Sequence, residues 1–376
     1  MTYSLVMKLV SPAPQRARLD HLDALRGWAI LGVMIIHCGS HFQESGIGRK
    51  TLDGAVGVQL FYTLSALTLF YTGYSQHAGE RRWLRNFFIR RFFRIAPMFY
   101  LVVLYFYVRN SEVTLPHVLA LVTFVNGFIP RYLNALFGEW SIAIEMTFYA
   151  LVPLLYRTIK TVDRAIYLTV GALLVSGLAL KWTYAHQPLA DAYVWHSFRT
   201  CWFPNQFPAF TCGIVTFFIL QRRLDPKLAT PLMAIAVFMG VAVYFSEFQA
   251  LFAFPHHLLY ELMFVPLIIS LHLAPNRFWV NPLMSYLGRI SFSCYLLHSV
   301  VREKLYRYAL ALALPPLAQF LLLLLALAGV TALLASITYR WVELPGIALG
   351  KKLIAWLDRG DGARSTETTR KAAELG

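Results

Sequence analysis

The sequence predicts an all-α, polytopic membrane helix bundle, with ten spans plus one short re-entrant or interfacial segment. Three observations lead there. Hydrophobic residues fill 58% of the 376 positions and charged residues only 14%, where a soluble domain carries about 25% charge. The mean hydropathy is +0.54. The apolar residues gather in runs near the length a helix needs to cross about 30 Å of hydrocarbon, and the basic residues crowd the connections between those runs.

In chain order the runs fall at 22–42, 55–74, 86–108, 138–157, 165–181, 206–221, 229–246, 257–273, 283–301 and 315–339. A further stretch, 115–130, is bounded by Pro116 and Pro130. Charge decides which runs cross. Clusters at Arg81, Arg82, Arg85, Arg90 and Arg91, at Arg157, Lys160 and Arg164, at Arg222, Arg223 and Lys227, and at Lys351 and Lys352 all belong on the cytoplasmic side by the positive-inside rule. They share that side only if 115–130 does not cross, which leaves ten crossings and both termini in the cytoplasm. The loop 302–313 breaks the pattern: Arg302, Lys304 and Arg307 fall on the far side, and Glu303 offsets them only in part.

The chain divides into a cytoplasmic N-terminal segment (1–19), one transmembrane domain (20–349) and a cytoplasmic tail (350–376). From Asp358 the tail reads DRGDGARSTETTRKAAELG, which has no apolar face and is expected to be disordered. The first apolar run begins near Leu22 without a small-residue cleavage site, so no cleavable signal peptide is expected. No internal repeat of the kind found in transporters built from two halves is visible. The net charge of +15 reads as orientation against the bilayer and not as nucleic-acid binding. Cys38, Cys201, Cys212 and Cys294 have no CxxC spacing, and no HExxH occurs, so neither a disulfide scaffold nor a metal site is expected.

Ionisable residues at membrane depth are costly and mark function. The first run holds Arg26 and His37, about 16 Å apart along a helix at 1.5 Å per residue. That interval places the arginine near one face of the bilayer and the histidine toward the other. A neutral imidazole can take a proton from a hydroxyl and return it, or it can simply be hydrogen-bonded inside the bundle. Asp23 lies one turn before Arg26 and is its nearest carboxylate in sequence. In RRWLRNFFIRRFFRIAP, Arg81 to Pro97, the outer arginines fit an ordinary cytoplasmic girdle. Arg94 lies deeper, before Pro97, and with Arg90 or Arg91 makes a candidate clamp for a diphosphate, because guanidinium forks suit phosphate oxygens. A nucleotide-bearing acyl carrier or an anionic lipid headgroup fits that clamp equally well.

In GEWSIAIEMTFY, Gly138 to Tyr149, Trp140 suits an interfacial anchor or, with Arg199, a substrate-side contact, whereas Glu145 among apolar neighbours needs a partner. Ten spans would bring His37, Glu145 and His298 to one depth, with Glu145 orienting the His37 ring. Gly54, Gly57 and Ser65 in the second run suit close helix packing. SYLGRISFSCYLLH supplies Tyr295 and His298 as substrate-side candidates. The aromatic loop 182–205, with His186, His196 and Arg199, suits a sugar ring or an interfacial lid. Glu343 in YRWVELP is expected to pair with a loop arginine.

In order and spacing, these motifs resemble the acyltransferase 3 family of integral membrane O-acyltransferases over about 20–345. The elements are LDALRG with Arg26, Arg-x10-His ending at His37, GVQLFYTLSA, RRFFRIAP, WSIAIEMTFY, SFSCYLLH and VELP. The resemblance implies transfer of an acyl group, usually acetyl, from cytoplasmic acetyl-CoA or another acyl-CoA to a hydroxyl of an envelope or exported carbohydrate, in the bacterial inner membrane and without metal. It implies His37 as the catalytic histidine, with Arg26, Arg94 and Glu145 at the family's paired arginine, third-span arginine and glutamate. Together with the charge reading above, His37 and Glu145 are the expected catalytic residues and Arg26, Arg90, Arg91 and Arg94 the expected donor-binding residues. Ala66 stands where the family commonly has glycine. The bilayer and a carbohydrate acceptor are the implied partners, with a homo-oligomer or envelope-biosynthesis partners left open. A flippase or transporter for a phosphate-bearing lipid or glycan is the rival reading.

Overall fold

A computed structural model describes residues 20–42, 44–74, 79–80, 82–133, 138–245 and 256–374. These residues form a helical bundle, and among them there is no strand. The principal helices are α1 (Asp20–Gly39), α2 (Gly57–Gly73), α3 (Trp83–Arg109), α4 (Leu115–Val122), α5 (Trp140–Thr158), α6 (Val162–Ala185), α7 (Ala192–Cys201), α8 (Phe203–Leu220), α9 (Ala229–Phe245), α10 (His256–Leu273), α11 (Pro282–Arg289), α12 (Ser291–Leu310), α13 (Pro316–Thr338) and α14 (Leu344–Glu374).

Helix α1 is the hub, packed against α2, α10, α11, α12 and α13. Small residues set those distances, because a helix pair that lacks Cβ atoms at the crossing can bring its backbones together. A Cβ on Gly27 would lie 2.1 Å from the Met284 carbonyl oxygen, and one on Gly288 would lie 1.7 Å from that of Asp23. The same holds at Gly57, where a Cβ would meet the Ala29 carbonyl at 2.3 Å, as expected of a packing glycine in the second run. Around this hub α8 packs on α2 and α6, α9 on α10, α12 on α13, and α14 on α3.

Six helical stretches among the described residues are long and apolar enough to cross a membrane: Asp20–Gly39, Gly54–Gly73, Val162–Ala185, Ala192–Leu220, Pro226–Phe245 and Pro316–Arg359. The other expected spans are helical but differ in ways their residues explain. Helix α3 is 27 residues long and carries Arg85, Arg90, Arg91, Arg94 and Arg109. Helix α5 holds Glu145 and Arg157, and the apolar helix Leu258–Leu273 is shorter. The expected span 283–301 is two helices, α11 and α12, broken at Ile290 (φ −97°, ψ 7°). The stretch 115–130 contains the eight-residue α4, about 12 Å long, followed by 3₁₀ turns at Val125–Phe128 and Pro130–Tyr132.

The C-terminal segment departs from expectation. Helix α13 runs through a π-helical turn, Tyr339–Glu343, directly into α14, which continues to Glu374. The residues expected to be disordered from Asp358 onward are therefore helical up to Glu374. Docking is the physical reason. A Cβ on Gly346 would meet Pro97 Cγ at 2.8 Å and the Phe93 carbonyl oxygen at 2.9 Å, and one on Gly350 would meet Phe93 Cβ at 2.8 Å. Arg85 of α3 also bonds Asp358. Once the first turns are fixed against α3, each further residue adds to a helix already nucleated.

Gly288→Ala forces the α1–α11 crossing apart, and overpacking of this kind costs about 1–3 kcal/mol. The expected result is a fall of several degrees in the unfolding temperature of the solubilised protein. Gly177→Ala, where nothing lies within 4 Å of the added carbon, is expected to leave that temperature unchanged or slightly raised.

Candidate active site

Two cavities lie toward opposite ends of the same helices. The first has a volume of about 590 Å³ and is lined by Asp23 and Arg26 of α1, by Arg90, Arg91 and Arg94 near the start of α3, and by Ser65 and Thr68 of α2. Glu145 and Tyr149 of α5, Ser291 and Tyr295 of α12, Arg289, Tyr339 and Lys351 complete the polar wall. The second, about 610 Å³, is lined by His41 just beyond α1, by Tyr105, Phe106, Arg109 and Asn110 at the end of α3, and by Ser299, Arg302, Glu303, Lys304, Tyr306 and Arg307 of α12. Arg90 and Arg109 are nineteen positions apart on α3, about 28 Å at 1.5 Å per residue, so the two cavities together span roughly the thickness of a bilayer core.

Arginine dominates the first cavity, and local partners hold most of its guanidinium groups. Arg26 donates to Asp23 Oδ1 at 2.9 Å and to Thr68 Oγ1 at 2.6 Å. Arg90 grips Glu80 through both terminal nitrogens, at 3.0 and 2.9 Å. These donated hydrogen bonds hold the Glu80 carboxyl below the usual carboxylate range, so the pair persists as pH falls until Glu80 itself is protonated. Arg91 lies over the rings of Phe87 and Tyr149, each centroid 5.8 Å from its guanidinium carbon. Arg94 and Lys351 line the cavity with no ion-pair partner among the described residues.

Glu145 does not meet His37. Its Oε1 accepts from Ser65 Oγ and from Tyr149 Oη, both at 2.6 Å, and it lies within electrostatic reach of Arg26 and Arg91. The expected orienting contact is absent because α5 presents Glu145 to α2, where Ser65 is the donor. His37 faces α12 instead. Its ring lies 5.0 Å from that of His298, and its backbone carbonyl accepts from Arg302 at 3.2 Å. His298 is fully buried, and its Nδ1 lies 2.5 Å from the Tyr295 carbonyl oxygen. A carbonyl can only accept, so that nitrogen carries the proton and Nε2 is left as an acceptor, without a partner among the described residues.

The two histidines therefore divide the cavities. On one side of His298 stands Tyr295, a wall residue of the first cavity whose ring lies 5.6 Å from the imidazole. On the other side stand Ser299 and Arg302, wall residues of the second. His37 is flanked likewise, with Arg26 in the first cavity and His41 in the second. Neither His37 nor His298 is among the residues lining either cavity.

Tyr295 is fixed by donating to the Gly138 carbonyl at 2.9 Å. Gly138 has φ +96°, a conformation that suits glycine. Trp140 and Arg199 belong elsewhere. Trp140 packs with Leu133, Trp195, Phe198 and Cys201, and Arg199 lies 3.8 Å over the Tyr184 ring and bonds His196 at 2.7 Å. The aromatic loop is helix α7, and its rings stack on one another, Trp195 on Phe198 at 5.4 Å and Phe198 on Trp202 at 5.3 Å. That packing covers part of the ring surface, while Trp182, Tyr184 and Tyr193 of the same segment stay exposed. Glu343 takes a hydrogen bond from Ser293 and not from a loop arginine.

Sequence reasoning missed Arg289, Tyr339 and Lys351 as wall residues, together with Ser65 and Thr68 as partners of charged groups. The spacing of Ser65, Thr68 and Thr72 at helical intervals was the available signal for α2, since it draws one polar stripe on an apolar helix. No comparable signal existed for Lys351, which looks like an ordinary loop cation until α14 is docked. Among the described residues, no group of three or more His, Cys, Asp or Glu side chains comes together in a way that suits a metal.

A family model described as an acyltransferase domain, Acyl_transf_3, matches residues 19–340. Acyltransferase MdmB of Streptomyces mycarofaciens is 23% identical over 258 residues, which is 61% of this chain and 65% of that protein. The chain thus spans just under two thirds of the length of this curated relative. No solved structure matches it. With Arg26, Arg94, Glu145 and Tyr295 gathered on one cavity wall and the family match running from the start of α1 to the π-helical turn, the chain belongs to the acyltransferase 3 family.

Proposed function

We propose that this protein is a membrane-embedded O-acyltransferase. In this reading it takes an acyl group, acetyl in the simplest case, from cytoplasmic acyl-CoA and passes it to a hydroxyl of an exported or envelope carbohydrate. The bundle crosses the bacterial inner membrane ten times, with both termini in the cytoplasm. The observation that carries the proposal is the arginine-rich cavity walled by Tyr295, whose ring is followed by those of His298 and His37 at centroid spacings of 5.6 and 5.0 Å. MdmB, by its printed name, is an acyltransferase, which supports the same reaction class.

The first cavity is the donor site. Arg94 and Lys351 hold phosphate oxygens, supported by Arg91 and by Arg26, whose Asp23 and Thr68 contacts fix its direction. Glu145 keeps the cluster of cations together and does not act on the imidazole, since Ser65 and Tyr149 occupy its oxygen. The thioester end of the donor extends toward Tyr295, and the acceptor approaches His37 from the second cavity.

At that meeting point an imidazole nitrogen of His37 takes the proton of the acceptor hydroxyl. The oxygen attacks the thioester carbonyl, the C–O bond forms, and the C–S bond breaks. The departing thiolate then takes the proton from the imidazolium. A variant route first places the acyl group on the imidazole nitrogen, releases CoA, and passes the group to the hydroxyl in a second step. In both routes His298 positions His37: its ring lies 5.0 Å from that of His37, and with its own Nδ1 committed to the Tyr295 carbonyl its buried Nε2 is left as an acceptor without a partner among the described residues.

His37→Ala is expected to reduce acyl transfer from acetyl-CoA by about 100-fold or more while membrane abundance stays at the wild-type level, as measured with labelled acetyl-CoA in inverted membrane vesicles. Transfer at a near-normal rate in that variant sinks the assignment. Arg94→Gln removes one charge-assisted contact, about 1.5–3 kcal/mol, and is expected to weaken CoA binding by about 10- to 100-fold with little change in unfolding temperature. An Arg94→Gln protein that binds CoA as wild type does would move the donor site elsewhere.

A further inference from the structure

The second cavity carries a charge balance that the donor reading does not use. Arg109, Arg302, Lys304 and Arg307 line it against a single carboxylate, Glu303. Arg109, Lys304 and Arg307 have no ion-pair partner among the described residues. Under the ten-span topology this end of the bundle faces away from the cytoplasm, where the positive-inside rule disfavours clustered basic residues. Three unpaired cations there have a reason to persist if an anion occupies the space between them.

The walls limit what that anion is attached to. Tyr105, Phe106 and Tyr306 provide flat aromatic surface, and the His41 ring is stacked on Tyr306 at 3.6 Å. Aromatic faces beside a few fixed charged donors suit a ring-bearing polar ligand, and about 610 Å³ lies within the usual size range for small-ligand sites. The cavity also adjoins the histidine pair, since Arg302 donates to the His37 carbonyl at 3.2 Å. A ligand seated here is one residue's length from the proposed reacting centre, on the side opposite the donor.

We infer that the second cavity is the acceptor subsite and that it recognises an anionic group, a carboxylate or a phosphate, carried by the acceptor sugar. Arg307, Lys304 and Arg109 hold the anion, and the tyrosines hold the ring. The inference deepens the acyltransferase reading and rests on it for the identity of the ligand as an acceptor. The anion-binding character of the cavity stands on the side-chain inventory alone.

The test uses the full chain in phosphatidylcholine nanodiscs and measures binding of two anionic sugars, trigalacturonate and glucose 1-phosphate, against their neutral counterparts, galactotriose and glucose. At least one anionic probe is expected to bind at least ten-fold more tightly than its neutral partner. In the Lys304→Gln/Arg307→Gln variant that preference is expected to fall about ten-fold or more, with the unfolding temperature unchanged because both side chains are exposed. No preference for charge in the wild type, or a preference that survives in the variant, overturns the inference. A lipid arm adds phosphatidylglycerol to the nanodiscs. Should that lipid protect the cavity while neither sugar anion binds, the site holds a headgroup and the acceptor assignment is overturned. Binding of CoA to the wild type is followed in the same preparation. Its failure beside successful sugar-anion binding counts against the donor reading and leaves the anion site standing.

Discussion

Guanidinium groups held inside an apolar bundle are the constraint from which the rest of this molecule follows. Removing such a charge from water costs several kcal/mol unless neighbours replace the lost hydration, and the sequence supplies a different replacement for each arginine. Arg26 has a carboxylate one turn away and a threonine hydroxyl on the adjacent helix. Arg90 has the carboxylate of Glu80, and Arg91 has two aromatic faces. Arg94 and Lys351 lack such partners among the described residues, so the cavity between them carries surplus positive charge. An anion entering there meets donors already oriented by the others, which lowers the reorganisation that binding requires.

Much of this was legible in the sequence because charge at membrane depth is rare enough to be informative residue by residue. Arg26, Arg94 and Glu145 were singled out by that criterion, with Arg90 and Arg91 as neighbours of Arg94 and Tyr295 as a hydroxyl within a span, and all of them line one cavity. The proposed His37–Glu145 contact was not legible. Helical rise fixes the height of a residue, and helical periodicity fixes its angular position on its own helix, but neither says which neighbouring helix stands opposite. Glu145 and His37 can share a level and still face different neighbours, α2 in one case and α12 in the other. The break at Ile290 was hidden for a related reason: no proline stands at the junction, Gly288 two residues before it reads as an ordinary packing glycine, and only its approach to the Asp23 carbonyl marks the place.

The separation of the two cavities bears on how a bundle with charge at both ends would work. A transporter has to open a passage wide enough for its whole cargo at some stage. An acyltransferase needs only a thin partition through which one acyl group changes carriers. Helix α12 and α1 with the residues just after it supply such a partition, because each segment contributes wall residues to both cavities and one histidine between them. The rings of His37, His298 and Tyr295 form a short chain with centroid spacings of 5.0 and 5.6 Å. Closely packed rings in that position exclude bulk water, and a thioester is best protected from hydrolysis where water is scarce.

The C-terminal helix closes one side of the first cavity with Ile347 and Lys351, and it does so by docking on a weak point of α3. Pro97 cannot donate to the carbonyl four residues earlier, that of Phe93, and so leaves an acceptor without its usual partner inside α3. Gly346 of α14 lies against that same carbonyl and against the proline ring. The absence of a side chain allows α14 to cover a weak point in α3 at close range. One turn later Gly350 repeats the contact on Phe93, and the register so fixed carries Ile347 and Lys351 onto the cavity wall. A proline in the third run and two glycines after the last thus act as one device. Together they convert what reads as a basic tail into part of the cationic wall of the cavity.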